Sequence, residues 1–297
     1  MTVDGRVTVV IPSRNEKFLH ETVRDVLGQA RGDVECIVAL DGYWKRPDQE
    51  HLPTDPRLHL LHRGDAVGMR DNINAAAAIA TGRYLMKLDA HCKLAEGYDV
   101  ALKEACDEDG IVVPRRYALD PERWEFDTTN PKYPIDYHYL SFPFENPDDP
   151  HCGLHGTAWN RRREERKAVV IDEEMSSQGS CWFMTKDHFD RRIGTMDTSL
   201  YGPFVSEFQE LGLKTWLGGG TVLVHKGTWY AHLYKGRKHG RGYALGPNQF
   251  GQADAVVNHW MSDAWPGATR SLRWLVERFW PVPGWPEDLD AAFRMRR

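Results

Sequence analysis

Apolar residues along this chain gather in short β-branched runs that alternate with stretches of helical spacing. Residues 6–11, RVTVVI, form the first run and end in Pro12-Ser13-Arg14-Asn15-Glu16. Phe18, Val23, Val26 and Leu27 then recur on one helical face. Gly32-Asp33 interrupts, and VECIVAL (34–40) reads as a buried strand ending at Asp41-Gly42. Another strand, RLHLLH (57–62), follows a Pro-rich loop. Gly68 opens a helix with an alanine-rich centre, closed by Thr81-Gly82, and RYLMKL (83–88) is a strand that runs into Asp89-Ala90-His91. The alternation predicts an α/β fold, a mostly parallel sheet covered by helices. Ligands of such sheets sit beyond the carboxyl ends of strands, where Asp41 and Asp89 fall.

The second half is patterned differently. From Pro114 to Pro150 the chain is rich in Pro, Tyr, Phe and Asp with little periodicity, which predicts long ordered loops or an antiparallel excursion over the sheet. After the charged run at 161–167, SCWFMT (180–185) resumes regular structure, with a helix from Lys186 and another around 205–217. Three glycines at 218–220 stop that helix, and TVLVH (221–225) is a strand. Five of the 11 tryptophans lie in the tail: Trp260, Trp265, Trp274, Trp280 and Trp285.

Composition narrows the class. At 297 residues one large α/β domain with an appendage is expected. The mean hydropathy is -0.57 and no apolar run approaches the roughly 18 residues of a membrane span, so a soluble chain without membrane contact is expected. The opening MTVDGRVTVVIPSRNE resembles neither a signal nor a transit peptide, which implies cytoplasmic residence. Five widely spaced cysteines imply no disulfide framework. His151, Cys152 and His155 lie at ligand spacing, yet one cysteine without a second pair argues against a structural zinc. A net charge of -5 argues against non-specific polyanion binding.

The chemistry starts at Asp89-Ala90-His91, where a carboxylate and an imidazole one residue apart suit Mn²⁺ or a similar divalent ion and leave positions open for phosphate oxygens. An aspartate capping a turn with a histidine beside it is the alternative on spacing alone. The wider pattern resembles the GT-A-fold glycosyltransferases that use nucleotide sugars. PSRNE is similar to their P-x-x-N-E loop, ALDG to the acid at the end of the second strand, and GMRDNINAAAAIATGRYLMKLDAH to their G-x5-N…G-x-Y…D-x-D segment. Asp89-Ala90-His91-Cys92 resembles the D-x-H variant of the polypeptide N-acetylgalactosaminyltransferases. EFQELGLKTW, beginning at Glu207, resembles their glutamate-rich helix, and Ala231-His232-Leu233-Tyr234-Lys235 the segment that carries a further histidine ligand. The lectin domain of that family is not expected in this chain.

The resemblance implies a GT-A catalytic domain over 1–245, with a nucleotide-sugar half at 1–110 and an acceptor half at 111–245, followed by a Trp/Pro-rich extension at 246–297. It implies a metal-dependent glycosyltransferase in which Asp89, His91 and His232 hold Mn²⁺ or Mg²⁺. Pro12, Arg14 and Glu16 are expected near ribose and base, and Asp41 to accept from a base N–H of a UDP-sugar, although Asp41-Gly42 alone reads as an Asp-Gly turn. Arg70 is expected to neutralise phosphate, because Asp71 and Ile73 occupy the family's usual arginine positions.

Glu207 and Glu210 share a helical face, the arrangement of a carboxylate pair for acid–base work; a solvated face or two salt bridges would use the same spacing. Glu207 is the expected catalytic acid. Asp197 stands where related enzymes line the acceptor side, and a helix-terminating turn explains it as well. The tail and TWYAHLYKGRKHGRGY resemble glycosyltransferase-like proteins of bacteriophages, some of which decorate hydroxymethylated bases. The basic cluster at Lys235, Arg237, Lys238, His239 and Arg241 fits DNA phosphates, which makes hydroxymethylated pyrimidines in phage DNA the expected acceptor. A protein Ser/Thr or glycan hydroxyl is the alternative. A non-catalytic nucleic-acid or carbohydrate binder on the same fold is the rival of another class.

Overall fold

The computed structural model describes residues 2–42, 52–144, 153–240, 243 and 253–295. Two buried runs make the centre of the sheet. β1 (Val3–Ser13) pairs in parallel with β2 (Val34–Asp41), and every residue of β2 is buried. Side chains of β1 alternate between faces, as a strand requires. Val7, Val9 and Ile11 join the cluster under α1 (Leu19–Gln29) and α3 (Tyr98–Ala105), whereas Val10 joins the opposite cluster with α2 (Met69–Ile79). β3 (Leu58–Arg63) adds in parallel to β2, and β4 (Gly82–Leu88) in parallel to the other side of β1. Because β2 and β4 flank β1, a crevice opens beyond the carboxyl ends of β1 and β4, the usual ligand position in such sheets.

The rest of the sheet is mixed rather than parallel. β11 (Cys181–Thr185) runs antiparallel to both β4 and β6 (Gly110–Asp120). β12 (Thr221–His232) lies parallel to β6, with β10 (Ile171–Glu173) antiparallel at its edge. The order is β10-β12-β6-β11-β4-β1-β2-β3. β5 (Cys92–Leu94) pairs with β12 and β7 (Glu125–Asp127) with β6, while β8 (His138–Leu140) and β9 (Gly156–Ala158) form a separate hairpin. The described part of 114–150 is therefore an antiparallel excursion. β6 passes through Pro114 because the β6–β12 register shifts between His225 and Trp229, and a strand proline is tolerated at such an irregularity. β12 consequently runs on to His232, beyond the apolar run expected to end at 225.

α4 (Asn160–Glu165) takes up the charged run. α5 (Lys186–His188) passes into a π-turn at Phe189–Ile193, and α6 (Thr198–Tyr201) precedes α7 (Glu207–Leu217). After α8 (Gly236–His239) come three tail helices, α9 (Ala253–Met261), α10 (Leu272–Arg278) and α11 (Leu289–Arg294). Trp260, Leu275, Phe279 and Trp285 of the tail enter the same apolar cluster as Trp182, Phe208 and Trp216. Trp285 Nε1 donates to the Leu140 carbonyl at 2.8 Å, anchoring the tail on β8. Residues 246–252 of the expected extension lie outside the described residues, as do His151 and Cys152. No described helix is long and apolar enough to cross a membrane.

Candidate metal centre and ligand cleft

The end of β4 delivers Asp89, and a short turn delivers His91 just before β5. β5 pairs with the end of β12 with Cys92 opposite His232, and Leu233 N donates to His91 O at 3.1 Å. That pairing sets two imidazoles side by side. His91 Nε2 lies 3.1 Å from His232 Nε2; Asp89 Oδ2 lies 3.2 Å from His232 Nε2 and 3.9 Å from His91 Nε2. A triangle with these sides has a point roughly 2.0–2.1 Å from all three corners, the length of a divalent metal–ligand bond. No other group of three such side chains is found among the described residues.

The surrounding groups prepare the three atoms for a cation. His91 Nδ1 donates to Glu16 Oε2 at 3.1 Å, which turns Nε2 toward the site. Burial pushes His232 down to about 4, so its ring is neutral near pH 7. Burial alone would raise Asp89, but the Lys87 ammonium beside it outweighs burial and holds the carboxyl well below the usual range. Glu16 follows the same logic: His91 and Lys235 overcome its burial and lower it. One carboxylate oxygen and two imidazole nitrogens make a donor set that fits a borderline divalent ion.

A cleft of about 870 Å³ opens over this centre, lined by Pro12, Arg14 and Glu16 from the first loop, Gly179 and Ser180 before β11, Glu207 and Gln209 of α7, and Tyr234 and Lys235 beyond β12. Pro12 and Arg14 thus line the same cleft as the three ligand atoms. Arg14 lies 4.7 Å from the centre of the Tyr243 ring. Glu16 differs from expectation: its carboxylate sits between His91 and the Lys235 ammonium and supports the metal centre instead of facing ribose or base. Asp41 holds the 67–68 turn by accepting from Val67 N (2.7 Å) and Gly68 N (3.2 Å), and lines a small cavity of about 90 Å³ that shares Arg14, Met69, Phe204 and Tyr243 with the cleft. Gly68 at φ +94° is needed there, since a Cβ would meet Pro203 at 2.4 Å.

Three expected site residues are structural. Arg70 is fully buried, pairs with the equally buried Glu210, donates to Val205 O at 2.6 Å and lies over the Tyr201 ring. Its guanidinium lies inside the protein and does not line the cleft. Glu210 also accepts from Lys214 Nζ (2.7 Å) and Asp197 N (3.0 Å), which leaves it turned into the protein and away from the cleft. Asp197 caps the start of α6 by accepting from Ser199 N and Leu200 N, so it opens a helix, where a helix-terminating turn was the alternative read from the sequence. Glu207 and Glu210 are therefore not a working pair: one faces Lys87 and Trp182, the other Arg70.

Glu207 does line the cleft. Trp182 Nε1 donates to its Oε1 at 2.6 Å and Lys87 Nζ to its Oε2 at 3.0 Å; burial raises its carboxyl despite the lysine. Gly179 permits this approach, because a Cβ there would fall 2.6 Å from Glu207 Oε2. Lys87, Trp182 and Gln209 were not anticipated. A single lysine inside the otherwise apolar RYLMKL run was the readable signal for the first.

The model of glycosyl transferase family 2 matches residues 8–190. Polypeptide N-acetylgalactosaminyltransferase 5 of Caenorhabditis elegans is 24% identical over 247 residues, covering 78% of this chain and 37% of that protein. Putative polypeptide N-acetylgalactosaminyltransferase 9 of Drosophila melanogaster is 23% identical over 253 residues, with 78% and 36% covered. The chain thus spans little more than a third of the length of these curated relatives. The crystal structure of GalNAc-T7 with UDP, GalNAc and Mn²⁺ superposes with a TM-score of 0.65 at 16% identity, over 91% of this chain and 56% of that one. At that identity the likeness speaks to the fold, which is GT-A.

Proposed function

The chain belongs to glycosyl transferase family 2, and from that premise we propose that it transfers a sugar from a UDP-sugar to a hydroxyl of a polypeptide, with a divalent ion held by Asp89, His91 and His232. The observation that carries this reading is the convergence of those three ligand atoms at the floor of the cleft, beyond the carboxyl ends of β1 and β4. A bound divalent ion supplies a Lewis acid for the charge that develops on the departing diphosphate. The chain's own residues do the rest. Glu16 fixes the tautomer and direction of His91, and Lys235 holds Glu16 in turn. Pro12 and Arg14 border the nucleotide side of the cleft, while Gln209 and Tyr234, which is 80% exposed, border the side open to an acceptor. Glu207 has both oxygens engaged, so it serves as a fixed negative charge rather than a free base.

The polypeptide acceptor rests on the curated relatives, which are named for it. Hydroxymethylated DNA, expected from the basic cluster, is supported by none of these relatives; of that cluster Lys235 is tied to Glu16, while Arg241 and the side chains of Arg237 and Lys238 lie outside the described residues. Incubation with Mn²⁺, a panel of nucleotide sugars, a mixed peptide library and hydroxymethylated DNA tests the reading by mass. A hexose or N-acetylhexosamine addition to peptide supports it. Addition to DNA alone would reverse the acceptor, and absence of both UDP binding and transfer with metal present would remove the enzyme.

A further inference from the structure

We propose that Lys87 is a positioning residue that limits Asp89 to a single oxygen at the metal centre and thereby sets which divalent ion the site prefers. The inference rests on the metal-centre reading above. Lys87 is fully buried in β4. Its ammonium donates to Asp89 Oδ1 at 2.6 Å, Gly179 O at 2.6 Å and Glu207 Oε2 at 3.0 Å, which uses all three of its N–H groups.

Strand geometry explains why these groups meet. Residues two apart on a strand share a face, so Lys87 lies beneath Asp89. The β4–β11 register puts Trp182 opposite Lys87, and both side chains reach the same carboxylate at the start of α7. The three acceptors come from three separate segments: the end of β4, the turn before β11 and the first residue of α7. Lys87 joins them at one point.

The consequence is chemical. With Oδ1 held by Lys87, only Oδ2 faces His91 and His232. A one-oxygen carboxylate beside two imidazoles suits a six-coordinate ion such as Mn²⁺. Ca²⁺, which takes more oxygen ligands and often both oxygens of a carboxylate, is disfavoured. The ammonium also separates two carboxylates that would otherwise repel each other across the cleft floor.

Calorimetric titration of the full chain with MnCl₂ and CaCl₂, without donor or acceptor, tests this. Lys87→Met should lower Mn²⁺ affinity by about 10–100-fold, the usual effect of losing a group that orients a ligand. It should lower Ca²⁺ affinity less, so that the Mn²⁺/Ca²⁺ preference narrows. Should Lys87→Met fail to fold because Glu207 is left without its counter-charge, Lys87→Met with Glu207→Gln carries the same test with the net charge of the cluster kept at its wild-type value. A folded variant whose Mn²⁺ affinity stays within about twofold of wild type, with its preference unchanged, overturns the role of Lys87. A wild-type protein that binds no divalent ion overturns the metal centre itself, a different result.

Discussion

Glu210→Gln is expected to destabilise the fold by about 3–5 kcal/mol while leaving the turnover of each folded molecule unchanged. Arg70 and Glu210 are both 0% exposed, and the guanidinium cannot shed its charge. Removing the carboxylate charge leaves a cation in the interior with one carbonyl and one aromatic face for company. The other partner adds less to the loss, since Lys214 Nζ also donates to Ile193 O at 3.0 Å and Thr195 O at 3.3 Å and keeps those acceptors. At about 2–4 °C per kcal/mol for a large domain, the melting point should fall by roughly 6–20 °C. Replacing both residues by apolar ones, Arg70→Met with Glu210→Leu, should recover most of that loss, because a buried pair exchanged for packed hydrocarbon is often neutral or better. Urea unfolding followed by tryptophan fluorescence measures the stability, and turnover is read well below both melting points. A Glu210→Gln protein of wild-type stability whose turnover is about 100-fold lower would refute the argument and return Glu210 to the chemistry.

Asp89→Asn should abolish the thermal stabilisation by UDP with Mn²⁺ while leaving the melting point without ligand within a few degrees of wild type; a retained Mn²⁺-dependent shift would contradict the ligand assignment. Gly179→Ala places a Cβ where Glu207 Oε2 now lies, at 2.6 Å, so turnover should drop at least about tenfold in a folded protein, and wild-type turnover would show that Glu207 need not stand there. Burial pushes His188 down to about 4, from an ordinary value near 6.5. The unfolded chain therefore takes up the proton first, and stability falls as pH drops from about 6.5 toward 4, by up to about 3 kcal/mol. His188→Gln should lose that part of the slope in urea midpoints measured at pH 7 and pH 5, and an unchanged slope refutes it.

The parallel block was legible because each of its strands is a local run bounded by Gly or Pro at one end or the other, and its register follows from which face is buried. The antiparallel insertion of β11 was not, since nothing in SCWFMT says that it enters between β4 and β6. The metal centre divides in the same way. Asp89 and His91 are neighbours in sequence, but His232 joins them only through the β5–β12 pairing, a contact across 141 residues that the family resemblance supplied and no local pattern encodes. Arg70 and Glu210 were misread for the same reason: each looks like a charge on a helix face, and each finds its partner 140 residues away.

Charges inside apolar strands carried more information than their neighbours suggested. Burying one costs several kcal/mol unless its hydrogen bonds are saturated, so such a residue marks a place where the fold has brought polar partners together. β2 and β4 each contain a case. Glu35 accepts from Thr8 Oγ1 at 2.5 Å and from Thr81 N and Oγ1 at 2.7 Å, and so clips the end of α2 to the sheet. Lys87 donates to Asp89, Gly179 and Glu207 and frames the cleft floor. Both are buried, Glu35 at 5% exposure and Lys87 at 0%, and both are engaged by three hydrogen bonds, so burial does not tell the clip from the frame. Position along the strand can: Glu35 is the second residue of β2, at its amino end, whereas Lys87 is the last but one of β4, at the carboxyl end, and only that end of the sheet faces a ligand.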